Sequence, residues 1–192
     1  MELILASQSP RRRELLTQMG LSDFLIRPAQ GEEVIDPALS PQELVVSLSR
    51  QKAAEISQTA PDALIIAADT VVTADARVLG KPRDEADAAA MLRFLSGRTH
   101  TVYTGVTVQQ GNRCISEFEA TQVRFRPLTE QDIAAYIATG EPMDKAGSYG
   151  IQGVGALLVE GIEGDYFNVV GLPVCRLGQM LRKFGVDTLS RT

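Results

Sequence analysis

Three consecutive arginines, Arg11-Arg12-Arg13, follow Ser7-Gln8-Ser9-Pro10 and open a stretch of helical periodicity. With Ser9 as N-cap and Pro10 at the first helical position, they fall in the first turn, where free backbone N–H groups and the helix dipole favour an anion. Positive side chains oppose that dipole, so a merely solvated basic face is poor design. Forked guanidinium donors, with the Ser7 hydroxyl at the preceding strand end, would instead grip a polyphosphate. The second group is Asp69, which follows the apolar run Leu64-Ile65-Ile66-Ala67-Ala68. A buried strand ending abruptly at Asp69-Thr70 would present its carboxylate to a crevice, as open α/β sheets do. Beside a metal ion or a lysine, such a carboxylate can orient and deprotonate a water. An aspartate serving only as N-cap or turn residue is the competing reading.

Weaker signals surround these two. Gly80-Lys81-Pro82 places a lysine in backbone kept extended by the following proline, which makes its reach reproducible. Lys52 lies one turn beyond Leu48, near an apolar stripe, so it either points into a cleft or is simply solvated. Glu32-Glu33 reads as an ordinary acidic loop or as the source of one carboxylate completing a metal site with Asp69. Lys145 to Gly153 concentrates glycines around Gln152, whose amide donates and accepts and so suits a nucleobase edge; a plain turn-rich loop has the same composition.

Strands and helices must hold these groups. Leu3 to Ala6 reads as a buried strand, and the arginine helix runs to about Met19 with Gly20 as its stop. A second helix starts at Ser40-Pro41 and carries Leu44, Val45, Leu48 and Ile56 on its apolar side. Asp84 fits the N-cap of a helix bearing Met91, Leu92 and Leu95, with Gly97 after it. Thr99 to Arg126 reads as a hairpin around Gln110-Gly111-Asn112. Thr129 and Asp132 form a capping-box pattern for a helix ending at Gly140, a strand is expected over Ala156 to Val159, and a last helix over Leu172 to Phe184. The alternation indicates an α/β or α+β protein, and the absence of repeats or low-complexity linkers indicates a single domain over residues 1–192.

Composition narrows the chemistry. Of 192 residues 44% are hydrophobic and 22% charged, as in ordinary globular proteins. A net charge of −5 opposes nucleic-acid binding through overall positive potential, so a polyanion must be met by a local cluster; a module binding nucleic acid through Arg11 to Arg13 is disfavoured for that reason. One histidine, His100, and no close Cys/His spacing set zinc sites aside, which leaves a metal held on oxygens, Mg2+ or Mn2+. Cys114 and Cys175 need not pair and read as buried or partly buried thiols. Met1 is followed by Glu2 and an apolar run too short to span a membrane, so a cytoplasmic, reducing location is expected. Neither a GxxxxGKS/T loop nor a GxSxG elbow occurs, which disfavours P-loop and serine-hydrolase chemistry.

Taken in order, LASQSPRR, AADT, LGKPRD, GRTHTVYTGV, KAGSYGIQG and GDYFNVVGLP resemble the Maf-like family of nucleoside triphosphate pyrophosphatases, also labelled septum-formation proteins, almost end to end. The resemblance implies a two-lobed, ITPase-like α/β fold: a long mixed sheet flanked by helices, with a nucleotide cleft between lobes, usually in a homodimer. It implies hydrolysis of a nucleoside triphosphate to its monophosphate and pyrophosphate with a divalent metal cation, a house-cleaning activity on nucleotide pools. The proton acceptor then falls on Asp69, the phosphate-holding and metal-supporting positions on Ser7, Arg12, Glu33, Lys52 and Lys81, and those tuning base choice on Arg11, Thr70 and Gln152. Tyr149-Gly150-Ile151-Gln152 and Thr70 resemble the branch acting on dTTP and UTP rather than the one acting on 7-methyl-GTP, whose corresponding loop carries a lysine and a glutamate. A neutral amide matches the mixed edge shared by uracil and thymine, whereas a methylated purine cation would favour an acid. The older family label suggests a different class of function, a nucleotide-binding regulator of cell division without turnover.

Overall fold

Leu3–Leu5 forms β1 and is buried throughout. The chain then passes through Ser7 and Gln8 into α1, Pro10–Gln18, capped by the Ser9 hydroxyl, which accepts the Arg12 N–H. Leu15 and Leu16 take its buried side, leaving the arginine turn at the end nearest the strand. The computed structural model describes residues 2–189; Met1 and residues 190–192 lie outside them. After β2, Leu25–Ile26, comes α2, Pro41–Thr59. Ser40 and Glu43 cap α2 reciprocally, as Ser40 donates its N–H to Glu43 Oε2 at 2.9 Å and accepts the Glu43 N–H. Such a box contributes about 1 kcal/mol.

The remaining elements are β3, Leu64–Ala74; β4, Arg77–Leu79; α3, Glu85–Leu95; β5, Thr99–Gln110; β6, Arg113–Phe125; α4, Glu130–Ile137; β7, Val159–Glu163; α5, Tyr166–Val170; and α6, Val174–Arg182. Asp84 caps α3, the Thr129–Asp132 box caps α4, and Gly111, at φ 55°, turns the hairpin between β5 and β6. The seven strands form one mixed sheet in the order β2-β1-β3-β5-β6-β7, with β4 also paired to β3. The β1–β2 and β1–β3 pairs are parallel, while β3–β4 and β6–β7 are antiparallel. With helices around this sheet, the expected mixed α/β architecture is present. No helix among the described residues is long and apolar enough to cross a membrane.

The chain divides into two compact units, residues 1–69, 104–119 and 171–192 in one, residues 70–103 and 120–170 in the other. In the first, α2 packs Ala53 and Ile56 against Ile4 of β1, Ala6 just after it, and Ile65 and Ala67 of β3. It approaches β5 closely at Gly105, where a Cβ would lie 2.2 Å from the Val45 carbonyl oxygen. In the second, Leu92, Leu95, Val102, Val123, Phe125, Ile133 and Tyr136 belong to one core. His100 is enclosed by that core, 2.7 Å from the Tyr149 hydroxyl through Nε2 and edge-on to Phe125.

Three local expectations need correction. β3 does not stop at Asp69-Thr70 but continues to Ala74, because the β-branched Val71, Val72 and Thr73 resume a strand pattern that β4 pairs, Val72 opposite Leu79. The strand expected over Ala156 to Val159 is a 3₁₀ segment, Gly153–Leu158, and β7 starts at Val159. The Glu141 carboxylate accepts the Val154 and Gly155 N–H groups at 3.0 Å each, winding backbone that a ladder would need extended. Finally, Cys114 and Cys175 are free and exposed. On α6 the buried side is taken by Leu177, Met180 and Leu181, which leaves Cys175 outward.

Two outcomes follow from this packing. Gly105→Ala must push a helix backbone off a strand, so it should lower stability by about 3 kcal/mol, at the upper end of overpacking costs; an unchanged urea midpoint would show that α2 is not seated there. Burial pushes the His100 imidazole down from 6.5 to about 4. Between those values the unfolded chain binds the extra proton and the native one does not, so stability drops as pH falls through that window, by about 3 kcal/mol in all. In His100→Phe, melting temperature against pH should be distinctly flatter between pH 6.5 and 4.

Candidate active site

Five of the residues singled out in the sequence meet in the first unit. The β1–β3 register pairs Leu5 with Ile66, and the Ala6 N–H donates to the Ile66 carbonyl at 2.8 Å. Carried two residues on, that register sets Ser7 level with Ala68, beside Asp69. The Ser7 hydroxyl accepts the Ser9 N–H and an Arg12 Nη1 donor, both at 3.2 Å, while Arg12 Nε donates to the Gly171 carbonyl at 2.8 Å. The guanidinium is therefore held at two points. Burial lowers its pKa, Asp69 and Glu33 oppose that shift, and Arg11 adds to it, which places all four charges in one electrostatic neighbourhood.

The centre of the group is an ammonium between two carboxylates. Lys52 Nζ is bonded to Asp69 Oδ1 and lies 3.0 Å from Glu33 Oε1. Lys52 and Asp69 are largely enclosed, with side-chain exposures of 19% and 14%, whereas Glu33 at 42% is open to solvent. Of the two adjacent acids, Glu33 makes this contact. Asp69 is not the strand-end acid its sequence suggested; it sits inside β3, and Lys52 supplies the counter-charge that an enclosed carboxylate needs.

The other predicted residues are placed separately. Arg11 is half-buried in the first turn of α1, and Thr70 is half-buried next to Asp69 in β3. Lys81 is exposed on the loop after β4, while Gln152 is half-buried in the glycine-rich loop. These two loops are tied within the second unit, where the Gly147 N–H donates to the Gly80 carbonyl at 3.0 Å. Gly147 has φ 70° and stands so close to Val72 that a Cβ would come within 2.9 Å of Cγ2, so both its backbone and its surroundings require glycine.

The model of the family described as "Maf-like protein" matches residues 2–184. The chain belongs to the Maf-like family. Relatives named dTTP/UTP pyrophosphatase include one from Moorella thermoacetica, 55% identical over 99% of this chain and 98% of its own. One from Bacillus pumilus is 54% identical over 96% and 97%, and one from Agathobacter rectalis 51% identical over 97% and 98%.

The donor set of this Maf-like chain bears on a metal. Among the described residues no three His, Cys, Asp or Glu side chains form a metal-binding cluster. Asp69 and Glu33 are nonetheless two carboxylates that already share one cation, Lys52. An ion of the magnesium type uses one or two carboxylates and completes its shell with water and substrate phosphates, so this pair fits it when a triphosphate supplies the rest.

Several contacts that hold the singled-out residues carry no signal in the one-dimensional pattern. The Gly171 carbonyl reaches Arg12 across 159 positions of sequence, which local spacing cannot anticipate. Glu141 and Tyr136 organise the loop bearing Gln152: Tyr136 donates its hydroxyl proton to Glu141 Oε1 at 2.9 Å and accepts the Gly150 N–H at 3.1 Å, and Glu141 also holds Val154 and Gly155. An acid just ahead of a glycine-rich stretch is the only sequence hint. Glu141→Ala would leave three donors without their acceptor, so stability should fall by about 2 kcal/mol and amides 150–155 should exchange faster. Unaltered exchange there would mean that the glycine loop holds its own shape.

Proposed function

We propose that this chain hydrolyses dTTP and UTP to the nucleoside monophosphate and pyrophosphate. The observation that carries the reading is the enclosed carboxylate of Asp69, held by a lysine, Lys52, that Glu33 also engages, beside the Arg12 and Ser7 turn. The names of the full-length relatives, at about half identity, support it.

In this mechanism Arg12 and Ser7 hold phosphate oxygens at the positive end of α1, and Lys52 and Lys81 add point charges. Lys52 engages Oδ1 of Asp69. Oδ2 takes a proton from a water, whose oxygen forms a bond to the α-phosphorus while the bond to the bridging oxygen breaks and pyrophosphate leaves with the electron pair. Asp69 and Glu33 would hold a divalent cation, which supplies charge neutralisation on the phosphates. No covalent intermediate is needed; catalysis comes from positioning and electrostatic stabilisation. Gln152 reads the pyrimidine edge, and Arg11 and Thr70 tune base choice.

Asp69→Asn removes the proton acceptor yet keeps the shape. Pyrophosphate release from UTP with Mg2+ should fall by about 10³-fold, within the range of general-base contributions, while nucleotide binding measured by calorimetry persists. Full turnover in this variant would remove Asp69 from the chemistry, and a wild-type protein that binds UTP but releases no pyrophosphate would leave only the regulatory reading.

A further inference from the structure

Glu33 comes from a segment with no helix or strand, residues 27–40, yet its carboxylate meets Lys52. Apolar burial does not hold that segment in place, since Val34 is 72% and Ile35 60% exposed. What holds it is α2. Glu55 accepts the Gln30 N–H on Oε1 at 2.8 Å and the Gly31 N–H on Oε2 at 3.0 Å. Gln51 accepts the Val34 N–H at 2.8 Å and donates to the Val34 carbonyl at 2.9 Å, with its amide also bonded to the Ser47 hydroxyl. Only Glu32 and Glu33 lie between these two attachments.

We propose that Gln51 and Glu55 are positioning residues that fix the register of this segment, so that Glu33 and not Glu32 faces Lys52 and Asp69. One turn of α2 thereby carries the cation and both clamps. Because both oxygens of Glu55 are engaged by backbone donors, this acid, three residues from Lys52 on the same helix, does not compete for the ammonium, which meets Glu33 and Asp69. A one-residue slip would break every one of these backbone attachments. Gly31 fits the same scheme, for a Cβ there would stand 2.9 Å from Glu55 Oε2 and push the carboxylate off its donors.

The catalytic consequence rests on the function proposed above, but the register itself can be read without turnover. In Gln51→Leu/Glu55→Gln, amides 30–34 should lose exchange protection. Mn2+ binding, followed by electron paramagnetic resonance with a non-hydrolysable UTP analogue present, should weaken 10–100-fold, the usual effect of removing groups that orient a ligand. Adding Glu33→Gln to that pair should cost nothing further, because Glu33 is already misplaced, whereas Glu32→Gln alone should leave binding within twofold. Gly31→Ala, which leaves α2 intact, should also loosen amides 30–34. Unchanged protection, or a Glu33→Gln penalty that is as large with the clamp broken as with it intact, would overturn the proposal. Absence of pyrophosphate release by the wild-type protein would instead defeat the proposed reaction and leave the exchange result standing.

Discussion

An acid set among fully buried residues of a strand must be given a positive partner, and the first unit is arranged around that need. Leu64 to Ala68 are buried without exception, and Asp69 follows them directly. The partner is Lys52, and its reach depends on how deeply α2 is seated. Gly105 sets that depth by letting the helix backbone at Val45 lie against β5 with no side chain between. Ala53 and Ile56, one and four residues beyond the lysine, then close the helix onto β1 and β3. A glycine and two aliphatic contacts thus determine where an ammonium group stands.

The arginine turn answers the same constraint from the opposite sign. Guanidinium groups at the positive end of a helix are unfavourable unless negative charge comes to them. Within the protein Asp69 and Glu33 supply part of it, and the partial burial of Arg12 makes their presence matter more, since fields are less screened away from water. The Gly171 carbonyl and the Ser7 hydroxyl fix the guanidinium plane, so little orientational freedom remains to be lost when an anion arrives.

Much of this was legible in the sequence wherever the signal was local. The Ser9, Ser40, Asp84 and Thr129 caps are all present, as is the hairpin turn at Gly111, because a cap or turn is decided within a few residues. The misreadings have separate causes. An aspartate after an apolar run resembles a strand end, but Val71, Val72 and Thr73 carry β3 on to its pairing with β4, and the aspartate's counter-charge lies 17 residues away on α2. Ala156 to Val159 has strand-like composition, yet Glu141 takes the N–H groups of Val154 and Gly155 just ahead of it and winds the backbone there. For the site, residue types flagged Ser7, Arg12, Lys52 and Asp69, whereas the choice between Glu32 and Glu33 depends on side chains of another element and was not readable from the pair alone.

The single bond from the Gly147 amide to the Gly80 carbonyl has a wider implication. It joins a lysine-bearing turn to a glutamine-bearing one through main chain, which substitution of side chains cannot edit away. The two turns therefore constitute one inheritable cassette: transplanting the segment around Gln152 from a relative, without its matching turn around Gly80, would import a mismatched anchor.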